Sequence, residues 1–331
     1  MTTIEAMRLA IEEAKKGYGF VAPNPVVGCV ILDGNGEFLS SGFHAQVGRD
    51  HAEVDALMKI SDPEKLRGAH VIVTLEPCSH FGRTPPCADR LMDLPIKKLT
   101  YGLLDPNPKV SGQGIAKIKS KGIEISECVE LRDELEDLAE IFLHNMREQK
   151  AFVALKVATS LDGALAFKSG ESQWITSAAS REQAHLLRGR YDAVLVGNRT
   201  VLNDDPKLDV RHEKFKSRAP NKVVVLDLKG ATLDRLVKSP IAQVRPIENI
   251  FIVTNKENKV AFEKLGVKII EAKPLRDGSI DLNALSEELY KQQIFSVYAE
   301  GGAETLSGFI KQKAAQRLYQ FIAPKIFGAE N

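Results

Sequence analysis

A series of short, β-branched apolar runs separated by helical segments constrains the fold of this chain more than any other feature. In the first half these runs lie at residues 26–32, 38–43, 70–75, 98–103 and 122–127. The first two flank Asp33-Gly34-Asn35-Gly36, a turn typical of a β-hairpin. Apolar residues recur with helical spacing at residues 3–16, 51–58, 112–120 and 131–147. This alternation predicts an α/β domain with one hairpin at its start.

The same alternation begins again after residue 147. Strands are predicted at residues 152–158, 193–197, 222–226, 249–254, 267–271, 296–300 and 323–328, with helical segments such as 180–188 between them. The 331 residues suffice for two domains of roughly 100–200 residues each. We therefore expect domains at residues 1–147 and 148–331. The polar and basic residues 211–221 are predicted to form a solvated loop.

Charge and composition exclude several classes of protein. Lys plus Arg number 45 against 44 Asp plus Glu, so the chain lacks the basic surplus of a nucleic-acid-binding protein. No stretch approaches the roughly 20 apolar residues of a membrane span, and the N-terminal residues lack the pattern of a signal peptide. Four cysteines are too few for a disulfide scaffold in a chain of this length. We expect a cytoplasmic homo-oligomer that binds neither nucleic acid nor a membrane.

Three residues of the first domain have the pattern of a zinc centre. His51 opens the run His51-Ala52-Glu53, Cys78 follows Pro77 after a predicted strand, and Cys87 lies further along. Two thiolates and one imidazole leave the fourth tetrahedral position open for water, as a catalytic zinc site requires. Glu53 is close enough to face that water without binding the metal, so it can carry a proton to a leaving amine. Zinc deaminases share this signature.

The spacing of the two cysteines departs from that signature. Cys78 and Cys87 are separated by eight residues rather than two. The alternatives are a closed structural zinc site, in which His44 or His80 supplies a fourth ligand, or unrelated buried cysteines. The two remaining cysteines lie in apolar surroundings and are predicted to be small core residues.

Four segments of the first domain carry a resemblance to a known family. They are PNPVVG at residues 23–28, GFHAQVGRDHAE at 42–53, EPCSHFGRTPPC at 76–87 and DPNPKVSGQG at 105–114. Together they resemble the bifunctional deaminase/reductases of riboflavin biosynthesis, a family in which the long loop between the cysteines is usual. The resemblance implies a cytidine-deaminase-like three-layer domain followed by a dihydrofolate-reductase-like α/β domain.

The resemblance also implies a substrate for the first domain. This domain would deaminate 2,5-diamino-6-ribosylamino-4(3H)-pyrimidinone 5′-phosphate, with one Zn²⁺ per chain and Glu53 as the catalytic residue. Asn24 and His44 would contact the pyrimidine, and His80 and Arg83 the phosphate, because arginine offers a planar fork of donors. The alternatives are a turn-forming role for Asn24 and loop or surface positions for the other three.

The second domain has less distinctive motifs. Gly301 and Gly302 lie where a predicted strand ends and a helix begins, so backbone N–H groups there can approach a phosphate. A plain tight turn is the alternative. The chain lacks a G-x-G-x-x-G sequence, which disfavours a Rossmann dehydrogenase.

The resemblance extends to KVATSLDG, GESQWITS, VGNRTVLNDDPKLDVR and AEGGAETL in this domain. It implies NADPH-dependent reduction of the ribosyl group to a ribityl chain, with Lys156 and Asp204 near the reacting atoms. The implied substrate contacts are Ser172, Arg188, Asp204, Arg211 and Glu300. The implied cofactor contacts are Lys156, Thr159, Trp174, Thr176, Gly197, Thr200, Gly301 and Gly302. For the arginines an exposed surface position is the alternative, and for Trp174 a place in the core.

Two other functions are alternatives to the bifunctional enzyme. One is a deaminase whose second domain is inactive or structural. Family members continue beyond residues 323–328, so a terminal strand is expected to be absent here, which bears on the stability or dimerisation of the reductase. The other is a zinc-stabilised RNA-binding protein related to tRNA-editing deaminases, which the neutral composition disfavours.

Overall fold

The computed structural model describes residues 1–81, 85–107, 110–165 and 177–328. The chain divides into two compact units, Met1–Glu148 and Gln149–Asn331. Each unit is a β-sheet with helices on both faces, so the predicted α/β class is confirmed. Among the described residues, no helix is long and apolar enough to cross a membrane.

The first unit has five strands and five helices among its described residues. The strands are β1 (Gly28–Leu32), β2 (Phe38–Phe43), β3 (His70–Leu75), β4 (Lys98–Leu103) and β5 (Glu124–Glu127). The helices are α1 (Thr3–Lys15), α2 (Ala52–Met58), α3 (Cys87–Met92), α4 (Gln113–Ser120) and α5 (Arg132–Glu148), with a 3₁₀ turn at Pro63–Leu66. Strands β2, β3 and β4 have the predicted bounds.

The topology of this sheet gathers several loops at one edge. The strand order is β2-β1-β3-β4-β5, with β1 antiparallel to both neighbours and β3, β4 and β5 parallel. The start of β1 therefore lies at the same edge as the ends of β2, β3 and β4. The segments around Asn24, His44, Cys78 and Asp105 all emerge there.

Two layers of apolar side chains hold the helices on this sheet. Helices α1 and α5 pack on one face, and α2, α3 and α4 pack on the other. Helix α2 lies against β2 at Gly42, where an added Cβ would lie 2.4 Å from the Ala52 carbonyl oxygen. Glycine is required at this close approach, which fixes the start of α2 beside the loop-bearing edge.

The second unit has seven strands and six helices among its described residues. The strands are β6 (Phe152–Thr159), β7 (Ala193–Gly197), β8 (Lys222–Leu226), β9 (Ile250–Thr254), β10 (Lys268–Glu271), β11 (Ser296–Ala299) and β12 (Arg317–Ile322). The helices are α6 (Ala178–Arg188), α7 (Asn198–Asp204), α8 (Pro240–Gln243), α9 (Lys256–Glu263), α10 (Leu282–Lys291) and α11 (Ala303–Lys311). Short 3₁₀ turns lie at Glu213–Phe215, Leu236–Lys238 and Ile247–Asn249.

All observed pairings in this second sheet are parallel, in the order β10-β9-β8-β7-β11-β6-β12. Helices α10 and α11 cover one face, and α7, α8 and α9 cover the other. Burial on both faces explains why the strands are continuous β-branched runs rather than alternating ones. The carboxyl ends of β6, β7 and β11 meet at one edge, which is where ligands bind in open parallel sheets.

Two predictions about the second unit are wrong. The last described strand is Arg317–Ile322, whereas residues 323–328 are irregular. In this strand the side chains alternate between half-buried and exposed, a weaker signal than a continuous apolar run. Residues 211–221 are not simply a solvated loop, because Phe215 is buried and Arg218 donates hydrogen bonds to the carbonyl oxygens of Gly189 and Tyr191.

Candidate active sites

The predicted zinc ligands converge at the loop-bearing edge of the first sheet. His51 precedes the first residue of α2, Cys78 follows β3, and Cys87 is the first residue of α3. The His51 Nδ1 atom lies 3.6 Å from the Cys78 Sγ and 3.4 Å from the Cys87 Sγ. Tetrahedral zinc with Zn–S and Zn–N bonds of about 2.3 and 2.05 Å requires N···S distances of about 3.6 Å. The donor set therefore fits a zinc ion.

His44 and His80, the alternative fourth ligands, lie outside this donor cluster. Among the described residues the cluster consists of His51, Cys78 and Cys87, whose ligand atoms lie within 4.8 Å of one another. Both ring nitrogens of His44 are already engaged, Nδ1 with the Asp50 carbonyl oxygen at 3.0 Å and Nε2 with the Asn24 Nδ2 at 3.3 Å. Three protein ligands with one open position match a catalytic zinc site rather than a closed structural one.

The electrostatics of the cluster favour a thiolate at Cys78. A hydrogen bond with the Cys87 thiol lowers the pKa of Cys78 to about 4, and the Cys87 backbone N–H also donates to the Cys78 Sγ at 3.3 Å. The pKa of His51 is raised, chiefly by its hydrogen bond to Cys78. A thiolate is the form of cysteine that binds metal, so the site is prepared for a cation.

Glu53 lies in the first turn of α2, two residues beyond His51. Its side chain is buried, and its burial, together with the charge of Cys78, raises its pKa to about 7. A carboxyl group with a pKa near the working pH can both accept and donate a proton. Glu53 borders the same cavity as His51 and Cys78.

This cavity has a volume of about 450 Å³ and contains most of the predicted deaminase residues. Asn24, His44 and His80 all line it. The buried His44 has a lowered pKa because of desolvation, which favours a neutral ring that donates through Nδ1 and accepts through Nε2. Arg83 lies outside the described residues.

The cavity also contains residues that sequence reasoning did not single out. They are Arg49, Glu76, Asp105, Asn107 and Phe142. The first four lie within the segments that carried the family resemblance, so the motifs located them without assigning them roles. Phe142 lies on the apolar face of α5, where the helical pattern predicts a core residue.

Glu76 organises the backbone on one side of this cavity. Its buried carboxylate accepts hydrogen bonds from the backbone N–H groups of Gly112 at 2.9 Å, Gly114 at 3.0 Å and Asp105 at 3.3 Å. A Cβ on Gly114 would lie 2.0 Å from the Pro77 carbonyl oxygen. Glu76 thus fixes the segment that carries Asp105 directly against the metal-ligand loop.

In the second unit, three of the predicted cofactor residues lie at the carboxyl edge of the sheet. Gly197 ends β7 and precedes α7, whereas Gly301 and Gly302 connect β11 to α11. A Cβ on Gly301 would lie 2.5 Å from the Thr305 Cβ, but no atom lies within 4 Å of a Cβ built on Gly302. The N-terminus of α11 has no side-chain cap, so its N–H groups and the open space at Gly302 fit a cofactor phosphate.

Three other predicted residues lie on or beside these elements. Thr159 is buried at the end of β6, and its Oγ1 accepts a hydrogen bond from the Gln320 side chain at 3.3 Å. Lys156, also on β6, is half-buried with its Nζ 6.0 Å from the centre of the Phe321 ring. Thr200 lies in the first turn of α7.

Arg188 and Glu300 form a buried ion pair. The Arg188 Nε lies 2.6 Å from a Glu300 carboxylate oxygen, and both side chains are about one-tenth exposed. The Arg188 Nη1 donates to the carbonyl oxygen of Asp209. Burial raises the pKa of Glu300, but the Arg188 charge outweighs it, so the net pKa is lowered. The prediction that Arg188 contacts the substrate stays a prediction, and two of its donors already have protein partners.

Three side chains hold the loop that follows α7, one at the end of α6 and two in the segments just after α8 and just before β8. Arg245 donates to the Lys207 carbonyl oxygen, Asn221 to that of Leu208 at 3.0 Å, and Arg188 to that of Asp209. Three successive carbonyl groups are therefore fixed by buried or half-buried donors. Asp204, at the end of α7, is exposed with a raised pKa caused by desolvation. Arg211 is also exposed, and its Nε lies 3.3 Å from an Asp209 carboxylate oxygen. Ser172, Trp174 and Thr176 lie outside the described residues.

Comparison with known proteins identifies a family for each unit. The family described as the cytidine and deoxycytidylate deaminase zinc-binding region matches residues 1–103, and the RibD C-terminal domain matches residues 151–331. The riboflavin biosynthesis protein RibD of Aquifex aeolicus is 40% identical over 97% of this chain and 87% of that relative. The RibD of Escherichia coli is 36% identical over 98% of this chain and 88% of that relative.

Solved structures show the same relationship across both units. The structure of Acinetobacter baumannii RibD has a TM-score of 0.84 and 36% identity, covering 99% of this chain and 88% of that one. A Thermotoga maritima protein described as a diaminohydroxyphosphoribosylaminopyrimidine deaminase/5-amino-6-(5-phosphoribosylamino)uracil reductase has a TM-score of 0.83 and 37% identity. The match covers 98% of this chain and 88% of the Thermotoga maritima chain. The predicted cytidine-deaminase-like and dihydrofolate-reductase-like folds are confirmed. The chain therefore belongs to the RibD family, as a bifunctional riboflavin-biosynthesis enzyme with a zinc-type deaminase unit and an NADPH-dependent reductase unit.

Proposed function

We propose that the first unit deaminates 2,5-diamino-6-ribosylamino-4(3H)-pyrimidinone 5′-phosphate and that the second reduces the ribosyl group of the product to a ribityl chain. The observation that carries the proposal is the open three-ligand cluster of His51, Cys78 and Cys87 beside the buried Glu53, in a cavity of about 450 Å³. The Thermotoga maritima relative, described as a deaminase and reductase of the corresponding compounds, supports the same pair of substrates.

Glu53 is the proton carrier in the proposed deamination. Zinc held by His51, Cys78 and Cys87 would lower the pKa of water and so supply a nucleophile near neutral pH. The water oxygen adds to the carbon that bears the amino group, and Glu53 carries one of the water protons to that amino group. The C–N bond then breaks to release ammonia, and the second water proton stays on the ring as an N–H. A pKa of about 7 for Glu53 supports both halves of this transfer.

Asn24 and His44 orient the pyrimidine in this proposal. The side-chain amide of Asn24 is held by the His44 Nε2, and His44 is held in turn by the Asp50 carbonyl oxygen. A chain of fixed donors and acceptors at the cavity wall suits a heterocycle with several polar edges. His80 and Arg83 are proposed to contact the phosphate.

For reduction, NADPH supplies the hydride, and the residues at the carboxyl edge of the second sheet bind the two reactants. Gly197, Gly301, Gly302, Thr159 and Thr200 are proposed to contact the cofactor together with Lys156, Trp174 and Thr176. Lys156 and Asp204 are proposed to lie near the reacting carbon. Arg188 and Arg211 are proposed to contact the ribose phosphate, and Ser172 and Glu300 are proposed to line the rest of the substrate site.

A crossed pair of variants tests the two assignments. Glu53→Gln is expected to lower deamination by roughly 10²- to 10⁴-fold while zinc content and NADPH oxidation on the deaminated substrate stay unchanged. Lys156→Met is expected to impair reduction alone. Loss of zinc from Glu53→Gln would contradict its role as a proton carrier, and an unchanged reduction rate in Lys156→Met would contradict a role near the reacting atoms.

A further inference from the structure

Acidic side chains outnumber permanently basic ones among the described residues that line the deaminase cavity. Its described lining residues include the carboxylates of Glu53, Glu76 and Asp105 but a single arginine, Arg49, and no lysine. Glu76 is already bonded to several backbone N–H groups, and Glu53 lies in the buried part of the site. A substrate with a phosphate group requires a compensating cation. Arg49 is the permanently charged cation among the described residues that line the cavity.

The backbone around Arg49 is held to the site from both sides. The Arg49 N–H donates to the Gln46 carbonyl oxygen at 3.0 Å across a turn in which Gly48 has a φ of +81°. On the other side, the Asp50 carbonyl oxygen is bonded to the His44 Nδ1 at 3.0 Å. Arg49 therefore projects from a fixed turn between a proposed pyrimidine contact and the zinc ligand His51.

The guanidinium of Arg49 remains available for a ligand. Its residue is exposed while lining the cavity, which places it at the mouth. Within the described ranges, no carboxylate forms an ion pair with it and no side-chain hydrogen bond involves it. By contrast, Arg67 of the same unit is paired with Glu64 at 3.1 Å and does not line the cavity.

We propose that Arg49 binds the 5′-phosphate of the deaminase substrate and makes this unit selective for the phosphorylated pyrimidine over its nucleoside. This inference rests on the proposed function and adds a specificity residue to it. The guanidinium presents a planar fork of donors that matches two phosphate oxygens, and its exposed position at the cavity mouth leaves it accessible to a substrate phosphate.

The test compares the phosphorylated substrate with the same compound after removal of its phosphate, using the zinc-loaded full chain. For Arg49→Ala we expect KM for the phosphorylated substrate to rise by roughly 10- to 100-fold with kcat nearly unchanged. KM for the nucleoside and the zinc content are expected to match wild type. Arg49→Lys retains the charge without the planar fork of donors. Its KM for the phosphorylated substrate is therefore expected to lie between those of wild type and Arg49→Ala.

Arg67→Ala is the matched control, expected to leave every constant unchanged. An Arg49→Ala variant with wild-type KM for the phosphorylated substrate would overturn the proposal while leaving the deaminase assignment intact. Equal kcat/KM for both substrates in wild type would also overturn it, because the unit would then not read the phosphate. If wild type deaminates neither compound, the proposed function itself fails and this inference fails with it.

Discussion

Glu76→Gln is the substitution whose effect follows most directly from the hydrogen bonds around the deaminase site. One Glu76 oxygen accepts from the N–H groups of Gly112 and Asp105, and the other accepts from that of Gly114. Glutamine replaces one acceptor oxygen with an NH₂ donor, so at least one backbone N–H then faces another donor in a buried position. An unsatisfied buried donor costs about 1–3 kcal/mol, and two such donors about 2–6 kcal/mol.

The segment that Glu76 holds carries Asp105 and Asn107, which line the cavity. The free-energy cost of the unsatisfied donor is therefore expected to lower kcat/KM for deamination. At 1.4 kcal/mol per factor of ten, the 1–3 kcal/mol of one unsatisfied donor corresponds to a fall of about 5- to 150-fold in kcat/KM for deamination. The assay measures this constant, zinc content and NADPH oxidation on the deaminated substrate in one preparation. Zinc content and NADPH oxidation are expected to be unchanged.

Glu124→Gln provides the control for this substitution. Glu124 lies on β5, and its side chain is 59% exposed in a surface pair with Lys98 at 3.4 Å. Surface pairs of this kind contribute about 0–1 kcal/mol, so deamination is expected to stay within a few-fold of wild type. If Glu76→Gln deaminates as fast as Glu124→Gln, the carboxylate does not hold the segment and the reasoning is refuted.

Three further predictions concern the ion pair, a histidine and the metal. Glu300→Gln leaves the buried Arg188 guanidinium without its carboxylate, so the free energy of unfolding of the second unit is expected to fall by about 3–5 kcal/mol in urea titrations; an unchanged midpoint would contradict this. Burial lowers the pKa of His70 to about 4. The unfolded chain therefore binds more protons than the folded one between pH 6.5 and 4, and stability is lost as pH falls through this window. His70→Gln is expected to flatten that part of the pH–stability curve, and an unaltered slope would refute the cause. Removal of zinc by a chelator is expected to abolish deamination reversibly while NADPH oxidation on the deaminated substrate continues, whereas persistent deamination in metal-free protein would contradict a metal-dependent reaction.

The strand pattern was the most predictable part of the fold. Residues 70–75, 98–103, 193–197 and 222–226 form strands with the predicted bounds, because buried strands of parallel sheets are continuous β-branched runs. The strand Arg317–Ile322 could not be found in this way. It is the outermost strand of the observed sheet, with Leu318 and Ile322 exposed, so half of its pattern comes from residues that do not enter the core.

The zinc cluster was predictable for a chemical reason. Few ligand types suit zinc, and a histidine with two cysteines near Glu53 restricts the chemistry before any fold is known. The environment of Glu76 was not predictable, since its partners are backbone N–H groups about 30 to 40 residues away, and backbone groups leave no mark in the sequence. Arg188 pairs with Glu300, which lies 112 positions away in the sequence. The local sequence around Arg188 therefore does not show that this charged residue is buried.

The most direct test of the central claim supplies the diaminopyrimidinone ribosyl phosphate to the zinc-loaded enzyme, with and without NADPH, and identifies the products by mass spectrometry. Without NADPH we expect the deaminated ribosyl compound to accumulate. With NADPH we expect its ribityl derivative, formed with one NADPH oxidised for each molecule reduced. Deaminated product without any ribityl derivative in the presence of NADPH would contradict the bifunctional assignment and leave a deaminase with an inactive second unit.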